Sequence, residues 1–239
     1  PHHLAIADEL IFSRFEQTAK GIEESMENYR FDLAAQSLQE FVWNEYCDWY
    51  VELSKPVLWD EAATDAALRG TRRTLIQVLE TWLRLLHPLM PFVTEEVWQS
   101  VRSLAGKTGD TIMLQPYPAA NDDAVNTDAE AEIAWLKAVI DGLRNISGEM
   151  NTPPSKAIKV LLGKGEDSDR QRVAQNSQYL IKLTKLESIE WLPDGTEASA
   201  AATALAGELE ILVPMAGLID MEAEIARLQK EISRLEKDV

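Results

Sequence analysis

Residues 31–55 are the segment that most restricts how this chain can fold, because they combine helical periodicity with a high density of aromatic rings. Apolar side chains recur there every three or four residues, as in an amphipathic helix. They occupy two adjoining faces, one with Leu38, Val42, Tyr46, Trp49 and Leu53, the next with Trp43, Cys47 and Tyr50. The remaining polar stripe consists of Glu40, Asn44, Asp48 and Glu52. Such a helix should be buried over most of its circumference, so other helices must surround it, and Pro56 predicts where it ends.

Three other segments share this periodicity and predict an antiparallel helical bundle. They cover residues 6–28, residues 65–86 and the segment that follows Pro91. Asp32 and Thr94 are the predicted N-caps of the second and fourth helices, since Asp and Thr side chains accept hydrogen bonds from the free amides at a helix start. Four helices joined by short connections favour a bundle.

The chain changes character after about residue 118. Residues 116–132 are acidic, contain three turn-forming Asn or Pro positions in their first half, and carry no basic side chain, which is typical of a boundary. A helix to about residue 151, a helix over 170–183 and strands over 158–162, 189–191 and 209–213 are predicted next. Apolar residues over 221–239 alternate by three and four, like the a/d seam of a coiled coil. The prediction is therefore a mainly α fold with a helical bundle over 1–118, a small α+β domain over 119–220 and the start of a truncated coiled-coil helix over 221–239.

Composition excludes several classes of function. The net charge of −17 opposes indiscriminate nucleic-acid binding, which depends on neutralising phosphates. The one cysteine, Cys47, rules out a disulfide framework, fits a reducing cytosol and is expected to be a small buried side chain. The three histidines lack metal-ligand spacing, and no apolar run approaches the ~20 residues that span a bilayer. We expect a soluble, cytoplasmic protein with no metal and no membrane partner.

No catalytic residues are predicted. The sequence has no glycine-rich phosphate loop, and the acidic pairs Glu95-Glu96 and Asp122-Asp123 lie in polar surroundings where they are interpreted as solvated faces. No cofactor is therefore expected in this chain.

Several strings along the chain resemble the valyl-tRNA synthetase family of class I aminoacyl-tRNA synthetases. Arg30-Phe31-Asp32 is followed by Cys47-Asp48-Trp49-Tyr50 and Ser54-Lys55-Pro56. Further similar strings are His87-Pro88-Leu89-Met90-Pro91-Phe92, Ile112-Met113-Leu114-Gln115-Pro116-Tyr117-Pro118, Arg144-Asn145-Ile146, and Leu212-Val213-Pro214-Met215-Ala216-Gly217. The resemblance covers essentially the whole chain.

This resemblance implies a C-terminal, anticodon-binding part of an enzyme that joins valine to its tRNA using ATP. The two strings with which that class holds ATP, of the types His-x-Gly-His and Lys-Met-Ser-Lys-Ser, do not occur in this sequence. The implied partners are valine tRNA and the catalytic domain of the same polypeptide, in a monomeric parent. The fragment alone should be inactive, and its last helix would begin a longer arm that contacts the tRNA.

RNA recognition requires aromatic or guanidinium planes for unstacked bases and cations for the flanking phosphates. The candidate RNA-binding residues are Arg14, Arg30, Phe31, Arg69, Arg72, Arg73, Arg144 and Lys156. Cations near the start of a helix oppose its dipole, which suggests a role beyond local stability for the three arginines of the third helix. Arg144 lies in a string where the family often has Ile-Arg-Ala-Glu, but here the string is Ile146-Ser147-Gly148-Glu149, so one cation is missing.

Some of these residues also have an interpretation without RNA. Phe31 could be a hydrophobic staple on the next helical turn, and the arginines of the third helix could be a solvated helix start. Arg227, Lys230, Arg234 and Lys237 form a basic stripe that suits either tRNA phosphates or a solvated coiled-coil flank. The rival hypothesis for the whole chain is a helical protein-interaction module that pairs through its a/d seam and binds no RNA.

Overall fold

The computed structural model describes residues 4–121, 125–153, 156–193, 196 and 200–215. The chain divides into two compact units, residues 1–134 and 135–239. The predicted coiled-coil segment 221–239, with its basic stripe and the a/d seam of the rival hypothesis, lies outside the described residues. The predicted domain limits at 118 and 220 stay predictions.

Helices build the first unit, as the periodicity predicts. They are α1 (Ile6–Glu27), α2 (Phe31–Glu40), a π-helix (Phe41–Tyr50), α3 (Val51–Leu58), α4 (Asp65–Leu86), α5 (Pro91–Val101), a short 3₁₀ turn (Ile112–Leu114) and the first part of α6 (Thr127–Glu149). The mainly helical fold class is confirmed, and α4 has the predicted bounds. The core of this unit contains large side chains with no exposed surface, among them Ile11, Tyr50, Leu53 and Trp98.

The aromatic-rich segment is one continuous run of helical turns that does not end before Pro56. It passes from α2 through the π-helix into α3 and ends at Leu58. The predicted stop is therefore wrong. A proline inside a helix costs about 3 kcal/mol, because it removes a hydrogen bond and crowds the preceding turn. Burial of Leu53, Pro56 and Val57 offsets that cost.

The π-helix also changes which faces are buried. Its hydrogen bonds join residues five apart, so its turns are wider than the 3.6-residue turn of an α-helix. The prediction of the buried faces assumed the α-helical turn. Tyr50 is fully buried, but Trp43 is 58% exposed and Cys47 is exposed. The prediction that both neighbouring faces are buried is thus wrong at Trp43, and the prediction of a buried Cys47 is wrong.

Neither predicted N-cap occupies the cap position. Helix α2 begins at Phe31 with Arg30 as its N-cap, and Asp32 lies within its first turn. Helix α5 begins at Pro91, whose fixed φ angle suits the first helical position. Thr94 is therefore inside α5, where its hydroxyl donates to the Met90 carbonyl at 2.8 Å.

A four-stranded sheet with helices forms the second unit. Its elements are β1 (Ile158–Gly163), α7 (Asp167–Thr184), β2 (Leu186–Trp191), β3 (Ala201–Ala206) and β4 (Leu209–Pro214). The strand order is β2-β1-β4-β3, with β2 parallel to β1 through the α7 crossover and β4 antiparallel to both of its neighbours. This confirms the small α+β part. Strand β3 was not predicted, because its alanine-rich sequence has little intrinsic preference for a strand.

Candidate nucleic-acid interface

A tight backbone motif ends α1 and reverses the chain at residues 28–30. The amide of Arg30 donates to the Ser25 carbonyl at 2.7 Å, and the amide of Tyr29 donates to the Met26 carbonyl at 3.1 Å. These two bonds define a Schellman motif, in which the residue after the C-cap adopts a left-handed conformation. Tyr29 is that residue, with φ 58°. The segment 29–31, which we call the corner, is thereby placed at the junction of α1 and α2.

At the corner, Arg30 forms a bidentate ion pair with Asp32. Its Nε lies 2.9 Å from Asp32 Oδ1, and its Nη2 lies 2.7 Å from Asp32 Oδ2. These hydrogen bonds lower the pKa of the exposed Asp32 carboxyl to about 2. The pair fixes the plane of the guanidinium and offsets its charge, so Arg30 presents a flat surface to a base better than it presents a free cation to a phosphate.

Aromatic residues precede and follow Arg30 in the sequence. Tyr29 is 81% exposed and Phe31 is 50% exposed. Their ring centroids lie 6.3 Å apart with an angle of 87° between the planes, which is an edge-to-face pair. Phe31 is the first residue of α2 and not the residue before its N-cap, so it does not occupy the position of a hydrophobic staple. Tyr29 is not among the candidates predicted from the sequence; the signal that marks it is an aromatic residue just after a helix end, where glycine is usual.

Arg14 lies on α1, the helix that leads into the corner, but far from its C-terminal end. It precedes the end of α1 by roughly 20 Å along the helix axis, at about 1.5 Å per residue. Its guanidinium donates to Gln17 Oε1 at 2.9 Å and to Glu45 Oε1 at 3.4 Å, in a polar groove between α1 and the π-helix. The structure therefore does not bring Arg14 to the corner.

The three candidate arginines of α4 lie at the end of the bundle opposite to the corner. They are Arg69, Arg72 and Arg73. All three are exposed, and they belong to the second and third turns of α4, where the helix dipole has little effect. The neighbouring Thr71 hydroxyl donates to Asp8 Oδ2 at 3.1 Å, which places this part of α4 beside the first turn of α1. Since α1 spans about 30 Å, one unstacked base cannot contact both these arginines and the corner.

Buried polar contacts hold the end of the bundle that carries these arginines. Asp8 accepts hydrogen bonds from the Tyr50 hydroxyl at 2.6 Å, from Thr71, and from the Ala5 amide at 3.0 Å. We call Asp8, Tyr50 and Thr71 the foot of the bundle; all three are buried. Burial raises the pKa of Asp8 above its ordinary value, although its hydrogen bonds act in the opposite direction.

The last two candidates belong to the second unit. Arg144 is exposed near the end of α6, and Lys156 is exposed just before β1. In the described part of the chain no group of three or more His, Cys, Asp or Glu side chains is arranged to hold a metal ion. Nor does any described helix combine the length and the apolar character needed to cross a bilayer.

Comparison with known proteins agrees with the resemblance found in the sequence. A family model described as "Anticodon-binding domain of tRNA ligase" matches residues 8–162. Valine-tRNA ligase of Coxiella burnetii (strain RSA 493 / Nine Mile phase I) is 49% identical over 233 residues, which cover 98% of this chain. The chain spans 25% of the length of that curated relative. The match includes the corner, the foot and the whole helical bundle, and the chain belongs to the family of anticodon-binding domains of tRNA ligases.

Proposed function

We propose that this chain is the tRNA-binding part of a valine-tRNA ligase and that its corner binds the anticodon loop. The observation that carries the proposal is a half-exposed Phe31 ring that directly follows Arg30, whose guanidinium is fixed by Asp32, within a domain whose family model is anticodon-binding. A flat aromatic ring and a flat guanidinium are the groups on which proteins stack unpaired RNA bases. The 49% identity to a valine-tRNA ligase supports valine tRNA as the partner.

The role of this chain in the reaction is positioning. Binding energy at the anticodon selects the tRNA and orients its distant acceptor end, so it contributes to catalysis without touching the reacting atoms. ATP and valine would bind in the parts of a longer polypeptide that this chain does not include, and the chain alone would be inactive. We propose a cytoplasmic, monomeric parent enzyme, as the class of the relative suggests.

The acidic charge of the chain is compatible with this function. Bulk attraction to phosphates is unfavourable at a net charge of −17, so discrimination must come from stacking and from contacts to base edges. Acidic surface elsewhere then weakens contacts with the wrong RNA. The affinity of the chain alone should be modest, with a marked preference for the correct anticodon.

The test compares valine tRNA with the same tRNA carrying a changed anticodon. Phe31→Ala should weaken binding of valine tRNA by about 1–3 kcal/mol, the usual contribution of one stacked base, and should leave binding of the altered tRNA unchanged. Leu33→Ala is the matched control, because it removes an exposed apolar side chain from the same helical turn. Equal affinity for both tRNAs, or full affinity of Phe31→Ala, would contradict the proposal.

A further inference from the structure

The backbone of Tyr29 is in a conformation that its side chain does not favour. In the left-handed region the Cβ atom approaches the following carbonyl, and a bulky residue with φ 58° is an outlier. Glycine would make the same two Schellman hydrogen bonds, which involve only the amides of Tyr29 and Arg30. The local structure of the α1 end therefore does not need a tyrosine.

The ring of Tyr29 also contributes little to the core. It is 81% exposed, and its described aromatic contact is the edge-to-face pair with Phe31, itself 50% exposed. Lys185 occupies the same backbone region at the end of α7, so the conformation alone carries no functional meaning. The difference is in the side chain, because a lysine ammonium gains from solvent whereas an aromatic ring gains from being covered.

We propose that Tyr29 is a second base-stacking residue, which binds an unpaired base of the same RNA loop that Phe31 binds. This inference rests on the proposed function. The two rings are nearly perpendicular at 87°, so their exposed faces accept two bases that point in different directions. Loop bases that have left the helical stack are splayed in this way. Arg30 lies between the two aromatic residues in the sequence, and its guanidinium is bonded to Asp32.

Backbone strain that persists at an exposed aromatic residue is typical of a binding site. The left-handed turn ends α1 and leaves the ring 81% exposed at the point where the chain reverses. Strain and exposure would both be relieved by glycine, which makes Tyr29→Gly an unusually informative substitution.

The experiment compares Tyr29→Gly with Tyr29→Phe in the full 239-residue chain. Tyr29→Gly should bind valine tRNA about tenfold more weakly, in line with the loss of one base-aromatic stack. Its melting temperature should stay the same or rise by about 2–4 °C, because the strained conformation suits glycine. Tyr29→Phe retains both the ring and the strain, so its affinity should match that of the native chain.

A direct probe is valine tRNA with the fluorescent base 2-aminopurine in the anticodon loop, whose emission is quenched by stacking. Quenching should be lost at one labelled position in Tyr29→Gly and at a different position in Phe31→Ala. Unchanged affinity of Tyr29→Gly, or a loss of affinity together with a lowered melting temperature, would overturn the role of Tyr29. If Phe31→Ala and a changed anticodon also have no effect, the proposed function itself fails; if they do have an effect, only the assignment of Tyr29 fails.

Discussion

At the foot of the bundle a buried carboxylate joins α1, the π-helix and α4, whereas at the corner an exposed carboxylate joins a residue two positions away. Asp8 bonds to Tyr50 and Thr71, which are distant in sequence. Asp32 bonds to Arg30 within the same turn of chain. Long-range buried contacts stabilise a tertiary structure, while a short-range exposed pair mainly fixes the shape of one local surface. The foot thus has the character of a structural joint, and the corner that of an exposed local surface, the one for which we propose RNA binding.

The aromatic residues at the two places differ in the same way. Tyr50 has no exposed surface, and its hydroxyl donates a hydrogen bond to Asp8. Tyr29 is exposed and lies against one other exposed ring. Substitutions at the foot should therefore change stability and leave the RNA preference of the folded chain intact, and substitutions at the corner should do the reverse.

The largest effect is expected for Tyr50→Ala. Removing a fully buried ring leaves a cavity and deprives Asp8 of its closest donor, which should lower the free energy of unfolding by about 3–5 kcal/mol. Trp43→Ala removes a larger ring from the same π-helix, but that ring is 58% exposed, and the loss should stay below about 1 kcal/mol. Urea unfolding measures both. A Trp43→Ala chain as unstable as Tyr50→Ala would show that the exposed side of the π-helix also belongs to the core.

A smaller effect is expected for Tyr50→Phe, which removes only the hydroxyl. The cost should be about 1–3 kcal/mol, since a buried carboxylate loses one of its hydrogen-bond donors. Affinity for valine tRNA, measured well below the melting temperature, should not change. A normal stability for this variant would mean that water or another group replaces the hydroxyl.

The contributions of Asp8 and Asp32 to the stability of the fold should change in opposite directions as pH rises. The pKa of Asp8 is raised, so above pH 3.8 and up to its native pKa the folded chain binds more protons than the unfolded chain, and the contribution of Asp8 to stability falls as pH rises. The pKa of Asp32 is lowered to about 2, so its contribution is present above pH 3.8 and is lost as pH falls towards that value.

Urea unfolding of the native chain, Asp8→Asn and Asp32→Asn between about pH 3 and pH 7 measures this difference, because asparagine does not titrate. The stability of the native chain relative to Asp8→Asn should decrease with rising pH, and its stability relative to Asp32→Asn should increase. The same sign for both differences would show that Asp8 is ionised in the folded chain at all these pH values.

The sequence predicted the helices well because their apolar periodicity extends over many turns, as in α4. The prediction failed where local backbone geometry determines which side chains are exposed. The π-helix changed the exposure of Trp43 and Cys47, and no residue type marks a π-turn unambiguously. At the corner, Arg30 and Phe31 were predicted from the sequence, but the role that we propose for Tyr29 depends on a φ angle that periodicity does not determine.

The candidate RNA-binding residues were predicted without any indication of their relative positions. In the structure they lie in separate places. Charge density along the sequence made Arg69, Arg72 and Arg73 as prominent as Arg30. Only the contact of Thr71 with Asp8 reveals that these arginines lie at the foot and not at the corner. This contact joins residues far apart in the chain, and such a contact cannot be predicted from the periodicity of a single sequence.

A modest effect is expected for Asp32→Asn, which keeps the shape of the side chain and removes its charge. Arg30 would lose its ion pair, and a negative charge would disappear next to the RNA. Affinity for valine tRNA should fall because the guanidinium loses the partner that fixes its plane, but by roughly fivefold or less, because an exposed ion pair is weak. Asp48→Asn removes an exposed carboxylate from the π-helix and is the matched control. An affinity that rises in Asp32→Asn alone would show that the local charge matters more than the fixed orientation of Arg30.

The smallest effect is expected for the replacement of Arg69, Arg72 and Arg73 by glutamine. An anticodon loop bound at the corner lies about 30 Å from the foot, so these cations can contact only phosphates of a stem that follows the bundle. Affinity at moderate salt should change little, but each lost phosphate contact should flatten the slope of log affinity against log salt by roughly 0.7–0.9. Lys159→Gln, an exposed cation of the second unit, is the control. If the slope is the same in the triple variant and the control, the RNA does not reach the foot and the binding surface of the bundle is confined to the corner; a loss of anticodon preference in the triple variant would instead contradict the division of roles between the two ends.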